Sequence, residues 1–163
     1  MLQAATAAGK PTVLDADALN MLAAGRVVAE SRRDSWVLTP HPGEAARLLA
    51  SSTAQVQADR FAAVRAIQQR HGGVALLKGN GTLVADADQL LLGDYGNPGM
   101  ASGGMGDVLS GVIGSLLAQH MPPLEATALG VCLHGAAADL AAEDGQRGLL
   151  ASDLMPHMRA LLG

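Results

Sequence analysis

The chain has 163 residues, a formal charge of −4, a hydrophobic fraction of 49% and an aromatic fraction of 2%. This length suits a single domain over residues 1–163, with a core of Ala, Leu, Val, Ile and Met, and the acidic balance with so few stacking side chains argues against nucleic-acid binding. Cys132 is the single cysteine, which excludes an intrachain disulfide and a cysteine zinc cluster; with no export signal and no run of eighteen apolar residues, the expectation is a cytoplasmic protein with no membrane contact.

Pro11-Thr12-Val13-Leu14-Asp15-Ala16-Asp17-Ala18-Leu19-Asn20 reads as a short buried strand turning into a helix. Its polar residues fall at the strand's C-terminal end. Parallel α/β sheets bind ligands at that edge, so Asp15, Asp17 and Asn20 are candidates for substrate contact; the alternative is that Asp17 or Asn20 caps the helix. A charged connection, Glu30-Ser31-Arg32-Arg33-Asp34, leads to a second strand at Trp36-Val37-Leu38-Thr39. Pro40-His41-Pro42-Gly43-Glu44 follows, and the two prolines hold His41 in a restricted backbone before a helical run from Ala45. His41 and Glu44 are either ligand contacts or, respectively, a turn residue and a first-turn carboxylate.

From Ala54 to His71 the spacing is that of one amphipathic helix. Val56, Phe61, Val64 and Ile67 form its apolar positions, and Arg60, Arg65, Gln68 and Arg70 its solvated face. Gly72-Gly73 ends it. Val74-Ala75-Leu76-Leu77-Lys78 makes the next strand, and Lys78 stands at its C-terminal end before Gly79-Asn80-Gly81-Thr82. Two short apolar runs then read as a hairpin that extends the sheet. Beyond Asp107 the chain reads as three helices, near residues 107–119, 124–142 and 152–161. Their small residues, Gly111, Gly114, Gly130 and Gly135-Ala136-Ala137-Ala138, suit close packing on the sheet or on another subunit. Cys132 reads as a small buried hydrophobe, and His134 and Asp139, lacking further ligands at metal spacing, as structural.

The segment Gly96-Asn97-Pro98-Gly99-Met100-Ala101-Ser102-Gly103-Gly104-Met105-Gly106-Asp107 carries the densest chemical signal. Its glycines allow successive amides to turn toward one ligand, and Asp107 opens a helix whose free amides and dipole favour a phosphate at the same place. A carboxylate beside a phosphate site suits proton abstraction. No Lys-Ser/Thr follows the glycines, so the segment is not a Walker loop, and its glycines are not placed as a dinucleotide fingerprint requires.

Four motifs occur in order: Asp15-Ala16-Asp17-Ala18-Leu19-Asn20, Leu38-Thr39-Pro40-His41-Pro42-Gly43-Glu44, Lys78-Gly79-Asn80-Gly81-Thr82 and the glycine segment ending in Asp107. Together they closely resemble the ADP-dependent NAD(P)H-hydrate dehydratases of the ribokinase-like superfamily. The resemblance implies a three-layer α/β/α domain with a mostly parallel sheet, incomplete at its N-terminal side because such domains are longer and extend upstream. It also implies ADP-dependent dehydration of the (6S) hydrates of NADH and NADPH, with release of AMP and phosphate and with Mg2+ present. Asp107 would be the base and a substrate contact, and Gly103, Gly104, Met105 and Gly106 the anion hole. His41 would touch the hydrate. Lys78, Gly79, Asn80, Gly81, Thr82 and Gly106 would hold AMP, and Glu44 would order magnesium through water. The resemblance further implies a homo-oligomer, since an open sheet edge and uncovered apolar faces favour self-association, and allows a hydrate epimerase domain upstream. A ribokinase-like kinase for a vitamin precursor and an inactive nucleotide-binding fragment are the alternative readings.

Overall fold

The computed structural model describes residue 4, residues 7–26 and residues 32–163. Glu30 and Ser31 of the charged connection lie outside the described residues. In chain order the elements are β1 (Thr12–Leu14), α1 (Asp17–Ala23), β2 (Trp36–Leu38), α2 (Pro42–Leu48), α3 (Thr53–Ala58), α4 (Arg60–His71), β3 (Val74–Leu77), β4 (Thr82–Ala85), β5 (Leu90–Gly93), α5 (Met105–Ala118), α6 (Pro123–Ala141) and α7 (Leu154–Leu162). Single turns of 3-10 helix lie at Pro98–Met100 and Ala151–Asp153.

One sheet in the order β1-β2-β3-β4-β5 organises these elements. β1, β2 and β3 run parallel, with Val13 opposite Val37 and Leu38 opposite Ala75. The expected hairpin is present: β4 lies antiparallel to β3 and β5 antiparallel to β4. The sheet is therefore mixed rather than mostly parallel. The cause is loop length, because the few residues from Lys78 to Gly81 cannot make the long crossover that a parallel neighbour needs.

Alternation along the strands sends side chains to two cores. Leu14, Leu38, Ala75, Leu77, Leu83 and Ala85 pack with α1, α2, α3 and α4 on one face, through Leu19, Leu22, Leu48, Val56, Val64 and Ile67. Val37, Val74, Leu76 and Val84 pack on the other face with Leu109, Ile113 and Leu117 of α5 and with Ala126 and Val131 of α6. This is a three-layer α/β/α arrangement. A third cluster, with Met105, Leu133, Ala137, Leu149, Leu154 and Met158, ties the start of α5 to α6 and α7. Among the described residues no helix is long and apolar enough to cross a membrane.

Three sequence expectations change. The single helix from Ala54 to His71 is two helices, broken at Asp59 (φ −145°, ψ 86°), whose side chain accepts from the Ala62 amide at 2.9 Å and caps α4. This local hydrogen bond competes with helical continuation. Phe61 consequently falls on the outer side and is 55% exposed. Cys132 is exposed rather than buried, because α6 turns Val131, Leu133 and His134 inward and leaves the intervening position outside. Small residues do allow close packing on α6, where a methyl at Gly130 would meet Ile113 at 2.8 Å and one at Gly135 would meet Tyr95 at 2.6 Å. At Gly111 and Gly114 of α5 the same methyl would meet nothing.

Candidate functional site

The C-terminal ends of β1, β2 and β3 lie side by side, and the turn after each carries one of the sequence motifs. Two backbone bonds hold the turns together: the Thr39 amide donates to Leu14 O at 3.1 Å and the Lys78 amide to Pro40 O at 2.9 Å. Thr39, fully buried, adds its hydroxyl to Leu14 O at 3.2 Å.

Asp15, at the end of β1, is engaged on both carboxylate oxygens. Oδ1 accepts from Lys78 Nζ at 2.7 Å and from the Ala16 amide at 2.9 Å; Oδ2 accepts from Ser110 Oγ at 2.8 Å. Burial alone would raise the Asp15 carboxyl, but the hydrogen bonds from Lys78 and Ser110, the lysine charge and the Ala16 amide outweigh it and leave the group below its ordinary value. Neither Asp17 nor Asn20 caps α1, whose N-cap is Ala16 in a positive-φ conformation (47°) without a side-chain cap. Asp17 is exposed in the first turn, and the side-chain oxygen of Asn20 is buried without a hydrogen-bond partner.

At the end of β2 the His-Pro-Gly-Glu segment forms a capping box. His41 is the N-cap of α2: its Nδ1 accepts from the Gly43 amide at 3.0 Å, and its own amide donates to Glu44 Oε2 at 2.9 Å. The remaining Glu44 oxygen, Oε1, stands 3.6 Å from His41 Nε2. Glu44 is buried and the His41 side chain is half exposed, at 52%. A methyl at position 43 would stand 2.9 Å from the imidazole, so a larger residue there would have to displace the His41 ring.

After β3, Lys78 reaches back to Asp15, while Gly79, Asn80 and Gly81 form an exposed to half-buried turn. Arg60 of α4, expected on a solvated face, instead donates to Asn80 O and to Leu77 O and shapes that turn from below. The Thr82 hydroxyl closes the turn on Gly79 O at 3.2 Å.

The glycine segment is tied down at both ends. At its start the Gly96 amide donates to Asp139 Oδ2 at 2.9 Å, and Asn97 Nδ2 donates to Asp139 Oδ1 and Ala138 O, both at 3.0 Å. At its end Gly104 takes a left-handed conformation (φ 85°) as the N-cap of α5 and provides no side-chain cap, which leaves the first-turn amides available to an anion. Met105 anchors that turn in the core, and Gly103, Gly104 and Asp107 face solvent. Glycine inside a helix costs about 1 kcal/mol relative to alanine, and the reason for Gly106 lies directly behind it. A methyl there would stand 3.0 Å from Lys78 Nζ and 3.6 Å from Asp15 Oδ2. His134 of α6 lies buried on the same side of the turn, hydrogen-bonded to the Met105 backbone; burial, aided by the charge of Lys78 and opposed by that hydrogen bond, lowers it to about 4.

Lys78 and Gly106 are thus brought together with Asp15, and a cation sits behind the uncapped start of α5. His41 and Glu44 face each other in their own turn, which begins directly after the Lys78 contact at Pro40. Ser110, Arg60 and Asp139 escape sequence reasoning as partners. For Ser110 a signal exists, since it lies four residues after Gly106 and therefore on the same helix face.

Comparison with known proteins identifies the family. The family profile described as NAD(P)H-hydrate dehydratase matches residues 1–159. A bifunctional NAD(P)H-hydrate repair enzyme of Vibrio cholerae is 57% identical over 153 residues, covering 93% of this chain and 30% of the relative. An ADP-dependent (S)-NAD(P)H-hydrate dehydratase of Neisseria meningitidis is 51% identical over 157 residues, covering 93% of this chain and 53% of the relative. The chain thus spans between about a third and about half of the curated relatives it matches. Among solved structures, an ADP/ATP-dependent NAD(P)H-hydrate dehydratase from Bacillus subtilis, co-crystallised with ATP and Mg2+, superposes with a TM-score of 0.74 at 34% identity, over 78% of this chain and 47% of that one. A ribokinase-like superfamily protein from Enterococcus faecalis superposes with a TM-score of 0.79 at 29% identity, over 92% of this chain and 51% of that one.

Proposed function

Because the chain belongs to the NAD(P)H-hydrate dehydratase family, we propose that it forms the nucleotide and phosphoryl-transfer half of an enzyme that dehydrates the (6S) hydrates of NADH and NADPH at the expense of ADP. In the proposed reaction the hydrate's hydroxyl oxygen takes the terminal phosphoryl group of ADP, AMP leaves, and the phosphorylated oxygen then departs as phosphate. Loss of a ring proton restores the double bond of the reduced nicotinamide. The observation that carries this reading is the Lys78 ammonium behind Gly106, at the uncapped start of α5, with Asp107 exposed one residue further on.

Each residue has a role in this scheme. Asp107 takes the proton of the attacking hydroxyl, a contribution of about 10²–10⁴-fold for a well-placed base. The amides of Gly103, Gly104, Met105 and Gly106 neutralise charge on the transferred group without reorganising, and Lys78 with the turn from Gly79 to Thr82 positions AMP. His41, half exposed beside that turn, contacts the hydrate. Magnesium fits this site only as a guest of the nucleotide. Among the described residues no three metal-binding side chains converge, and one Glu44 oxygen is already committed to the cap. A single buried carboxylate with one oxygen outside the cap, 3.6 Å from His41 Nε2, suits an ion held mainly by phosphates and water. When bound, the ion would reduce the negative charge on the phosphates. The bifunctional relatives support an epimerase module elsewhere in the parent polypeptide, and the setting proposed is the cytoplasm.

Incubation with hydrated NADH, ADP and Mg2+ should restore absorbance in the reduced-nicotinamide band, with this chain or with a version extended upstream. In the active form, Asp107→Asn should lower kcat by about 10²–10⁴-fold while AMP affinity, read by calorimetry, changes by less than about threefold. Normal turnover by that variant would remove Asp107 from the mechanism.

A further inference from the structure

Lys78 and Asp15 make the one ion pair between distant parts of the chain among the described residues, at 2.7 Å with side chains 22% and 16% exposed. Nothing in the proposed chemistry requires Asp15, and a carboxylate beside an anion site is electrostatically unfavourable for the anion. Its effect on Lys78 accounts for its presence. Asp15 leaves no oxygen unused, because Ala16 at the N-cap of α1 and Ser110 on α5 fix it while it holds Nζ behind Gly106. A cradle of amides with a free ammonium would grip the phosphates of substrate and product alike. Such uniform binding does not speed the chemical step, and it slows release.

We infer that Asp15 is a positioning residue that fixes Lys78 behind Gly106 and offsets its charge, with Ser110 as second anchor, so that the site receives a nucleotide phosphate in a set place without retaining it. This rests on the reading of the glycine segment as the nucleotide's phosphate site. Both carboxylate oxygens are spent inside the protein, so Asp15 acts chiefly through Lys78.

The test is a double-mutant cycle on AMP binding, measured by calorimetry at two salt concentrations with thermal melts as the folding control. Asp15→Asn should bind AMP about three- to tenfold more tightly, with a steeper salt dependence, since the lysine then carries an uncompensated charge. Lys78→Met should bind at least about tenfold more weakly. Without Lys78 the gain from Asp15→Asn should be clearly smaller, because only the direct repulsion of the carboxylate is then relieved. Asp15→Ser serves as a second neutral variant if Asp15→Asn does not fold, with the same outcome expected. In the active form, Asp15→Asn should also lower kcat while KM for ADP falls or stays constant, whereas a purely structural loss would weaken both. Weaker AMP binding by the neutral variants, or a gain of equal size without Lys78, overturns the inference. No AMP or ADP binding by the unmodified chain would instead remove the reading of the loop and the inference with it.

Discussion

The turns after β2 and β3 are neighbours on the same sheet edge, joined by the bond from the Lys78 amide to Pro40 O, yet they satisfy their polar groups in opposite ways. The His41 turn is self-contained: its imidazole, its amide and the Glu44 carboxylate answer one another within four residues. The Lys78 turn is answered from outside, by Asp15 just after β1, by Arg60 on α4 and, through Asp15, by Ser110 on α5. A local device orients one helix start. A long-range device sets how β1, β3 and α5 stand to each other, and so damage to it should spread further.

Lys78→Met should show the largest effect. It leaves the Asp15 carboxylate partly buried without its cation, a loss of about 1–3 kcal/mol once solvent screening is allowed for, visible as a lower urea midpoint. Next comes acid sensitivity on the α5 side of the same device. His134 is held at about 4 against 6.5 for an unperturbed imidazole, so as pH falls from about 6.5 toward about 4 the unfolded chain takes up the proton first and stability drops. Asp15, held low, is still ionised through that window and contributes its own loss only further into acid, as pH falls through its folded value. Melts between pH 7 and pH 5 should therefore fall in the unmodified chain and flatten in His134→Gln. Glu44→Ala should cost least, about 0.5–1 kcal/mol, because it removes half of one capping box and leaves the rest of the edge intact. A Glu44→Ala loss larger than that of Lys78→Met would reverse the contrast between the two turns.

The same contrast explains what could be read before the structure was known. The hairpin after Lys78 and the strand ends bearing Asp15, His41 and Lys78 depend on residues close in sequence, and each was legible; the helix after His41 was too, although it starts at Pro42 and not at the expected Ala45. So was the place of Lys78 just after a strand. Its pairing with Asp15 was not, since 63 positions separate them and spacing holds no information at that range. Arg60 was misread for a related reason. The helical period puts it on an outer face, but Asp59 breaks the helix and starts a new one, so the period does not continue across it.

One consequence follows from the way Asp139 and Asn97 fasten the root of the glycine segment while Gly104 and the buried Met105 fasten its end. Fixing a backbone residue costs about 1–2 kcal/mol in conformational entropy, and a slack glycine-rich loop would incur that cost with each ligand it received. Here the ends of the loop are ordered as the chain folds. In the proposed site an arriving anion would meet amides already restrained on both sides, and more of its binding free energy would remain as affinity.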